Sequence, residues 1–281
     1  MALTDATPPA ERSGADMLEW GPGRRWRTWL AAAVAWMGRR HRFGAELAAL
    51  VLLYVVYDSA RGFVATGTGV AVAHARLLES SERLLHLDIE HTVQRLAHDV
   101  PVLLTTFGLG YTTLHLAVMG AVLLWLFRTD AAAYVRLRCA VVISSVIALV
   151  GFVFWPTAPP RLAGVGIVGT LSQSGVNLES HALSFLYNPY AAFPSLHEAF
   201  AVLAGYALWR WCRWRPLRAV GVVYPVWVAV EVIATGNHFL LDVVAGAGVA
   251  VLGLVAAGRL RRAAEVDGTA QGEDVPALVA A

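Results

Sequence analysis

Apolar runs alternate with short arginine-bearing polar breaks along this chain. The runs near 44–66, 101–127, 139–156, 194–209, 219–236 and 238–258 approach the roughly 20 residues that a membrane-crossing helix needs. The pattern predicts an all-α polytopic membrane protein built as a six-transmembrane-helix bundle. The first run is the weakest, because its uninterrupted part ends at Tyr57 and Asp58 and Arg61 follow. The third lies between Arg138 and the Trp155-Pro156 break, and the Gly-, Ser-, Asn- and Pro-rich stretch 157–193 reads as a loop. Between runs one and two, Leu77, Leu78, Leu84, Leu85, Leu87, Val93 and Leu96 recur at helical spacing opposite a charged face. Residues 71–98 are therefore expected to form one amphipathic helix on the outer surface. Residues 22–41 place Trp26, Trp29 and Trp36 among arginines and end in Gly-Arg-Arg-His-Arg rather than a small-residue cleavage site. They read as a retained interfacial helix. The expected organisation is a cytoplasmic segment 1–42, a membrane domain 43–258 and a disordered cytoplasmic tail 259–281.

Composition agrees with a membrane solvent. Of 281 residues, 57% are hydrophobic and 15% charged, and the mean hydropathy is +0.57. A disordered or nucleic-acid-binding chain is excluded, since soluble domains carry about 25% charged residues. The chain has no lysine, and its arginines cluster before run one, between runs two and three, between runs four and five, and after run six. Arg61, Arg76, Arg83, Arg95 and Arg161 fall on the other side. The positive-inside tendency then puts both termini in the cytoplasm of a multi-pass plasma-membrane protein. Cys139 and Cys212 are too few and too far apart for a disulfide framework or a zinc site.

In this topology the polar residues collect at one level, the outer boundary. Pro159-Pro160-Arg161 follows run three, Phe193-Pro194-Ser195-Leu196-His197 opens run four, and Asn237-His238 with Asp242 opens run six. Ionisable groups at membrane depth cost at least ~2.5–3.5 kcal/mol each, so their convergence is a functional signal. His238 and Asp242 are four apart and share a helical face, where the carboxylate can orient the imidazole and stabilise its charge. The alternative is a polar pair that only ties helices together. His197 weighs against it, because it sits just inside a helix start whose N–H groups, beginning with Leu196, face an anion. Arg161 adds a cation matched to phosphate oxygens. Two histidines, a carboxylate, an arginine and a helix N-terminus describe a phosphoryl-transfer site needing neither metal nor cofactor: one histidine attacks phosphorus and the other protonates the leaving oxygen.

The strings Pro-Thr-Ala-Pro-Pro-Arg (156–161), Asn-Pro-Tyr-Ala-Ala-Phe-Pro-Ser-Leu-His (188–197) and Thr-Gly-Asn-His-Phe-Leu-Leu-Asp (235–242) resemble motifs of the type 2 phosphatidic acid phosphatase superfamily. They are most similar to its inositol-phosphorylceramide-synthase-like branch, and the resemblance covers about 44–258, with Tyr111 and His115 in run two also fitting. It implies that His238 is the nucleophile, Asp242 its assistant and His197 the general acid. Arg161 and Ser195 would bind phosphate. The chain departs from the common motifs in lacking the lysine of the first. It also carries Glu231 and Val232 where the last motif has Ser-Arg, so two cationic phosphate ligands are missing. The synthase-like branch tolerates such losses.

Other polar residues have competing readings. Ser195-x-x-Glu198 is a capping box, which explains Glu198 better than chemistry does. Glu231 is either a headgroup contact or a buried acid with a partner. Tyr111 and His115 either line the site or bond one helix to another. Asn188, Tyr190 and Asn237 are possible substrate-lining residues. His74, His86, His91 and His98 read as solvated positions of the amphipathic helix, and Gly246 and Gly248 as close-packing positions. The expected partners are the bilayer and a membrane lipid phosphate, with no nucleic acid. Hydrolysis of a lipid phosphate or polyprenyl diphosphate is the first expectation. Headgroup phosphotransfer of the phosphoinositol type is the second, and a non-enzymatic lipid-binding protein with a degenerate site is the rival of another class. A metal held by His197, His238 and Asp242 is a minor alternative. The sequence does not set the oligomeric state.

Overall fold

The computed structural model describes residues 44–48, 50–52, 55–56, 59, 67–170 and 188–270, with side chains to 263. The expected interfacial helix at 22–41, most of run one, residues 171–187 of the expected loop and the end of the tail lie outside them. Among the described residues there is no strand, only an isolated bridge between Thr157 and Ala191.

Among the described residues from 67 onward, seven helices follow in order: α1 Thr68–Leu84, α2 Glu90–His98, α3 Pro101–Thr129, α4 Ala131–Phe154, α5 Leu196–Trp211, α6 Arg215–Ala234 and α7 Leu240–Ala270. Four of them, α3, α4, α6 and the first 24 residues of α7, are long and apolar enough to cross a membrane. Helix α5 has 16 residues and packs against α6, α7, the second half of α3, and α4, which makes it the centre of the bundle. The helices facing outward carry valines, such as Val222, Val223 and Val226 on α6 and Val146 and Val150 on α4, all exposed. In water such a surface would be a liability; in a bilayer it is the expected lipid face.

Close helix contacts depend on missing side chains. A Cβ on Gly205 would meet the Gly221 carbonyl of α6, and one on Gly246 would meet the Ser195 carbonyl ahead of α5. Gly248, expected to pack likewise, instead faces open space.

Three boundaries differ from expectation. Helix α4 begins at Ala131 rather than near 139, because Asp130 Oδ1 accepts the Ala133 N–H at 2.9 Å and three alanines, strong helix formers, follow. Arg136 and Arg138 therefore lie within the helix, and the Arg138 guanidinium rests 5.6 Å from the centre of the Tyr134 ring. The amphipathic stretch 71–98 is two helices, not one. Leu87 N–H bonds the Glu82 carbonyl and His86 N–H the Arg83 carbonyl, with His86 left-handed at φ 56°, which is a Schellman ending. Finally, α7 continues through the start of the expected disordered tail to Ala270, as its Ala-Ala-Glu sequence at 263–265 favours.

Candidate active site

The three polar segments are tied together pairwise by backbone hydrogen bonds. Thr157 N–H bonds the Tyr190 carbonyl at 2.8 Å, which joins the first segment to the second. Ser195 N–H bonds the Asp242 carbonyl at 3.0 Å, joining the second to the third, and Arg161 N–H bonds the Gly236 carbonyl at 3.1 Å, joining the first to the third. Gly236 has φ 71°, and a Cβ there would lie 2.8 Å from the Val168 carbonyl, so both conformation and space require glycine. The three loops form one platform at one end of the bundle.

On that platform His238 Nδ1 lies 3.4 Å from Asp242 Oδ2, with both side chains buried. The same Oδ2 accepts the Phe239 N–H at 2.9 Å, which fixes the carboxylate against its own helix start. The His197 ring centre is 5.8 Å from that of His238. Across α3, Tyr111 stacks on His197 at 4.3 Å with an interplanar angle of 16°, and His115 lies 4.1 Å from it. Tyr111 and His115 thus both meet the α5 histidine across the contact between α3 and α5. Tyr111 lies within, and His115 directly after, the stretch Gly110–Leu114, where α3 widens into a π-helical turn. Such turns interrupt the helical ladder and occur often at functional sites. Tyr111 is ten residues into α3, about 15 Å along the helix from its start.

Ser195 caps α5, its Oγ accepting the Glu198 N–H at 3.3 Å. Only half of the expected capping box forms. Asp242 takes the Ser195 N–H, so the Glu198 carboxylate has nothing to close on, and its Oε2 is buried with no partner among the described residues. The cap leaves the Leu196 N–H, at the first turn of α5, without an intrahelical acceptor and beside His197. Arg161 Nε donates to Asn237 Oδ1 at 3.0 Å, which places the guanidinium next to the residue preceding His238. Asn237 in turn donates from Nδ2 to Thr235 Oγ1 at 2.9 Å.

Other candidates sit farther out. Glu231 accepts a hydrogen bond from Trp227 Nε1 at 3.2 Å and fills the space over Gly110, where any Cβ would strike its carboxylate. It is thus a buried acid with a partner, one residue from the Tyr111 stack. Asn188 Oδ1 accepts the Tyr190 N–H at 2.9 Å, and the Tyr190 hydroxyl lies 3.1 Å from Thr68 Oγ1. The Tyr190 ring packs on Ala71, Ala75, Ala158, Ala163 and Phe239, so both residues serve the contact with α1. His74, expected to be solvated, instead meets the Pro156 carbonyl at 2.7 Å through Nδ1 and stacks on Trp155 at 4.1 Å.

Sequence reasoning missed Glu82 and Glu90. Glu82 Oε1 accepts the Leu241 N–H at 2.7 Å and Glu90 Oε1 the Leu240 N–H at 2.9 Å. Both carboxylates are buried. Burial pushes the Glu82 carboxyl up to about 8, and the neighbouring charges of Glu90 and Asp242 add to the rise against the Leu241 bond. No local signal marks these two acids, because each looks like one more polar position on an amphipathic helix.

Comparison with known proteins places the chain. No curated protein sequence matches it. A solved structure, described as the crystal structure of Aquifex aeolicus LpxE, is 21% identical with a TM-score of 0.44, covering 62% of this chain and 94% of that one. The family model described as the PAP2 superfamily matches residues 76–256, which take in α2 to α6, most of α1 and α7, and every segment of the platform. With well over half of its length matched, this chain belongs to the PAP2 superfamily.

Proposed function

We propose that the protein is an integral membrane phosphatase acting on a lipid phosphate or polyprenyl diphosphate through a phosphohistidine on His238. The observation that carries this reading is the buried His238–Asp242 pair at 3.4 Å with the His197 ring 5.8 Å away. Asp242 faces Nδ1, which leaves Nε2 of His238 to attack phosphorus. The phosphorus–nitrogen bond forms as the bond to the lipid oxygen breaks, and His197 gives that oxygen a proton. Asp242 stabilises the positive charge that His238 gains. Water then attacks the phosphohistidine, His197 takes its proton back, and the phosphorus–nitrogen bond breaks to release phosphate. The first-turn N–H groups of α5, the Ser195 hydroxyl and Arg161 would hold the phosphoryl oxygens. No step calls on a metal or cofactor.

The proposed topology has six spans, α5 and run one being added to the four long helices. Chain connectivity supports its orientation. Arg210–Arg218 at the α5–α6 turn, Arg128 at the α3–α4 turn and Arg259–Arg262 on α7 lie at the end of the bundle opposite the histidines. The positive-inside tendency makes that end cytoplasmic and the site extracytoplasmic in the plasma membrane, with α1 and α2 as the outer amphipathic layer.

Transfer to an alcohol acceptor, the chemistry of the synthase-like branch, is the second reading. It rests on the sequence resemblance alone, in which Glu231 and Val232 stand where the common motif has Ser-Arg. One experiment separates the readings: purified protein in detergent with EDTA, given phosphatidic acid, a polyprenyl diphosphate or a phosphoinositol lipid. Free phosphate that disappears in His238→Ala establishes the phosphatase. A new headgroup lipid without free phosphate establishes the transferase. Turnover retained by His238→Ala overturns the phosphohistidine mechanism.

A further inference from the structure

Helix α7 carries Asp242 in its first turn and begins without a side-chain cap from its own N-cap residue. Its N-cap residue is Phe239, whose side chain accepts no hydrogen bond and is buried in the cluster with Ala71, Ala75, Ala158 and Ala163. A helix start leaves its first N–H groups without intrahelical acceptors, and a buried start must find them elsewhere. Here three successive groups go to three carboxylates from three different helices. Phe239 N–H goes to Asp242 on α7 itself, Leu240 N–H to Glu90 on α2, and Leu241 N–H to Glu82 on α1. The last two caps come from 150 and 159 residues away along the chain.

We infer that Glu82 and Glu90 are positioning residues of the reaction: as remote caps of α7 they hold the turn that keeps Asp242 against His238. The inference rests on the assignment of His238 and Asp242 as the reacting pair. Without the remote caps, the N–H groups of Leu240 and Leu241 compete for the one carboxylate in reach, Asp242, whose Oδ2 already serves Phe239 and His238. The pair sits at the edge of hydrogen-bonding distance, where a small rotation of Asp242 matters. Displacing a catalytic group by about 1 Å can cost about 10²-fold in rate.

A second consequence concerns the anion. The positive end of α7 is filled by three carboxylates, so a phosphoryl group is left to α5, where the Leu196 N–H lies beside His197. The same outer layer holds the preceding turn: Gln94 on α2 donates from Nε2 to the Val168 carbonyl at 2.8 Å and the Ala234 carbonyl at 3.3 Å. Helices α1 and α2 are thus part of the catalytic framework. The high Glu82 value fits, because a neutral carboxyl still accepts the Leu241 N–H through its carbonyl oxygen.

The test uses the full chain in detergent and compares Glu82→Ala, Glu90→Ala, Glu82→Gln, Glu90→Gln and His238→Ala. Turnover is measured on dioctanoyl phosphatidic acid, farnesyl diphosphate and a phosphoinositol lipid, and hydrogen exchange is followed by mass spectrometry over 236–245. The alanine variants are expected to lose about 10- to 100-fold in kcat with KM changed less than about threefold, and to exchange faster over 238–243. The glutamine variants, which keep the accepting oxygen, are expected to stay within about threefold of the parent in both readouts. Should an alanine variant not fold, Glu90→Asp serves, since its shortened side chain falls short of Leu240 while keeping the charge. Alanine variants with parental kcat or parental exchange overturn the inference, as do glutamine variants as impaired as alanine. If His238→Ala keeps turnover, the phosphohistidine reading fails instead, and the exchange measurement still decides whether the caps exist.

Discussion

The starts of α5 and α7 meet at the platform, where the Ser195 N–H bonds the Asp242 carbonyl, and they are capped in opposite ways. Helix α5 is capped locally by Ser195, which satisfies the Glu198 N–H and leaves the two before it, Leu196 and His197, without an intrahelical acceptor. Helix α7 is capped remotely by Glu82 and Glu90, which occupy Leu241 and Leu240. The first arrangement keeps a helix end open to an anion, and the second closes one. Two helix dipoles pointing into one mouth would otherwise both attract phosphate. On the proposed reading, filling one of them leaves the anion a single seat, at the start of α5.

The comparison breaks most severely at the chemistry. His238→Ala is expected to lower turnover by more than about 10⁴-fold, because the proposed nucleophile has no substitute. His197→Ala removes only proton transfer and is expected to cost about 10²–10⁴-fold, with a smaller loss for substrates whose leaving group is already acidic. Equal losses on acidic and ordinary leaving groups would remove His197 from the role of general acid. Turnover that falls to background in EDTA would move the site toward the metal alternative.

Next comes the floor under the Tyr111 stack. Gly110→Ala places a Cβ against the Glu231 carboxylate, so Glu231 or the π-helical turn must shift, and Tyr111 shifts with it. The expected result is a drop of about tenfold in kcat or more, with partial recovery in the double variant Gly110→Ala/Glu231→Ala, which removes the obstructing carboxylate. Additive losses in the double variant would show that Glu231 and the turn act independently.

The two caps also show where sequence reasoning reaches and where it stops. Ser195 was legible because a local cap is written in four consecutive residues; the His238–Asp242 pair was legible because it is written in five. The apolar runs of α3, α4, α6 and α7 were legible because a membrane-crossing helix is a composition as much as a pattern. Glu82 and Glu90 were not, because their partners are backbone N–H groups about 150 residues away, and backbone groups have no sequence. The break at Leu85–Ile89 was missed for a related reason: His86, not glycine, takes the left-handed position that ends α1. The start of α4 was misplaced because Arg136 and Arg138 were read as a boundary, although Asp130 is the better signal. Tyr111 and His115 could be noticed but not assigned, since helical spacing does not say which face meets α5.

A smaller effect tests the local cap. Ser195→Ala is expected to cost about 1 kcal/mol of stability, read as a lower melting temperature in detergent, and to raise KM more than it lowers kcat. The same substitution should leave exchange over 238–243 unchanged, because α7 keeps its own caps. A Ser195→Ala variant whose α7 start exchanges faster would mean that the two helix starts are one structural unit and not two alternatives.

The remote cap also carries a pH dependence, read in stability rather than in turnover. Burial holds the Glu82 carboxyl up near 8, from an ordinary value of 4.5, with Glu90 and Asp242 facing it from α2 and α7. The folded chain therefore keeps a proton that the unfolded chain releases above about pH 4.5. Where the unfolded state binds fewer protons, stability falls as pH rises, so this contribution is complete at acid pH and is lost progressively up to about pH 8. Glu82→Gln carries no titrating group and keeps the bond to Leu241, so it should escape that slope. Melting temperatures of the parent and Glu82→Gln, measured in detergent from pH 5 to 8.5, should lie close together at the acid end. They should separate toward pH 8, with the variant higher. Parallel curves would mean that Glu82 is ionised throughout, and that three charged carboxylates, rather than two and a shared proton, close the end of α7.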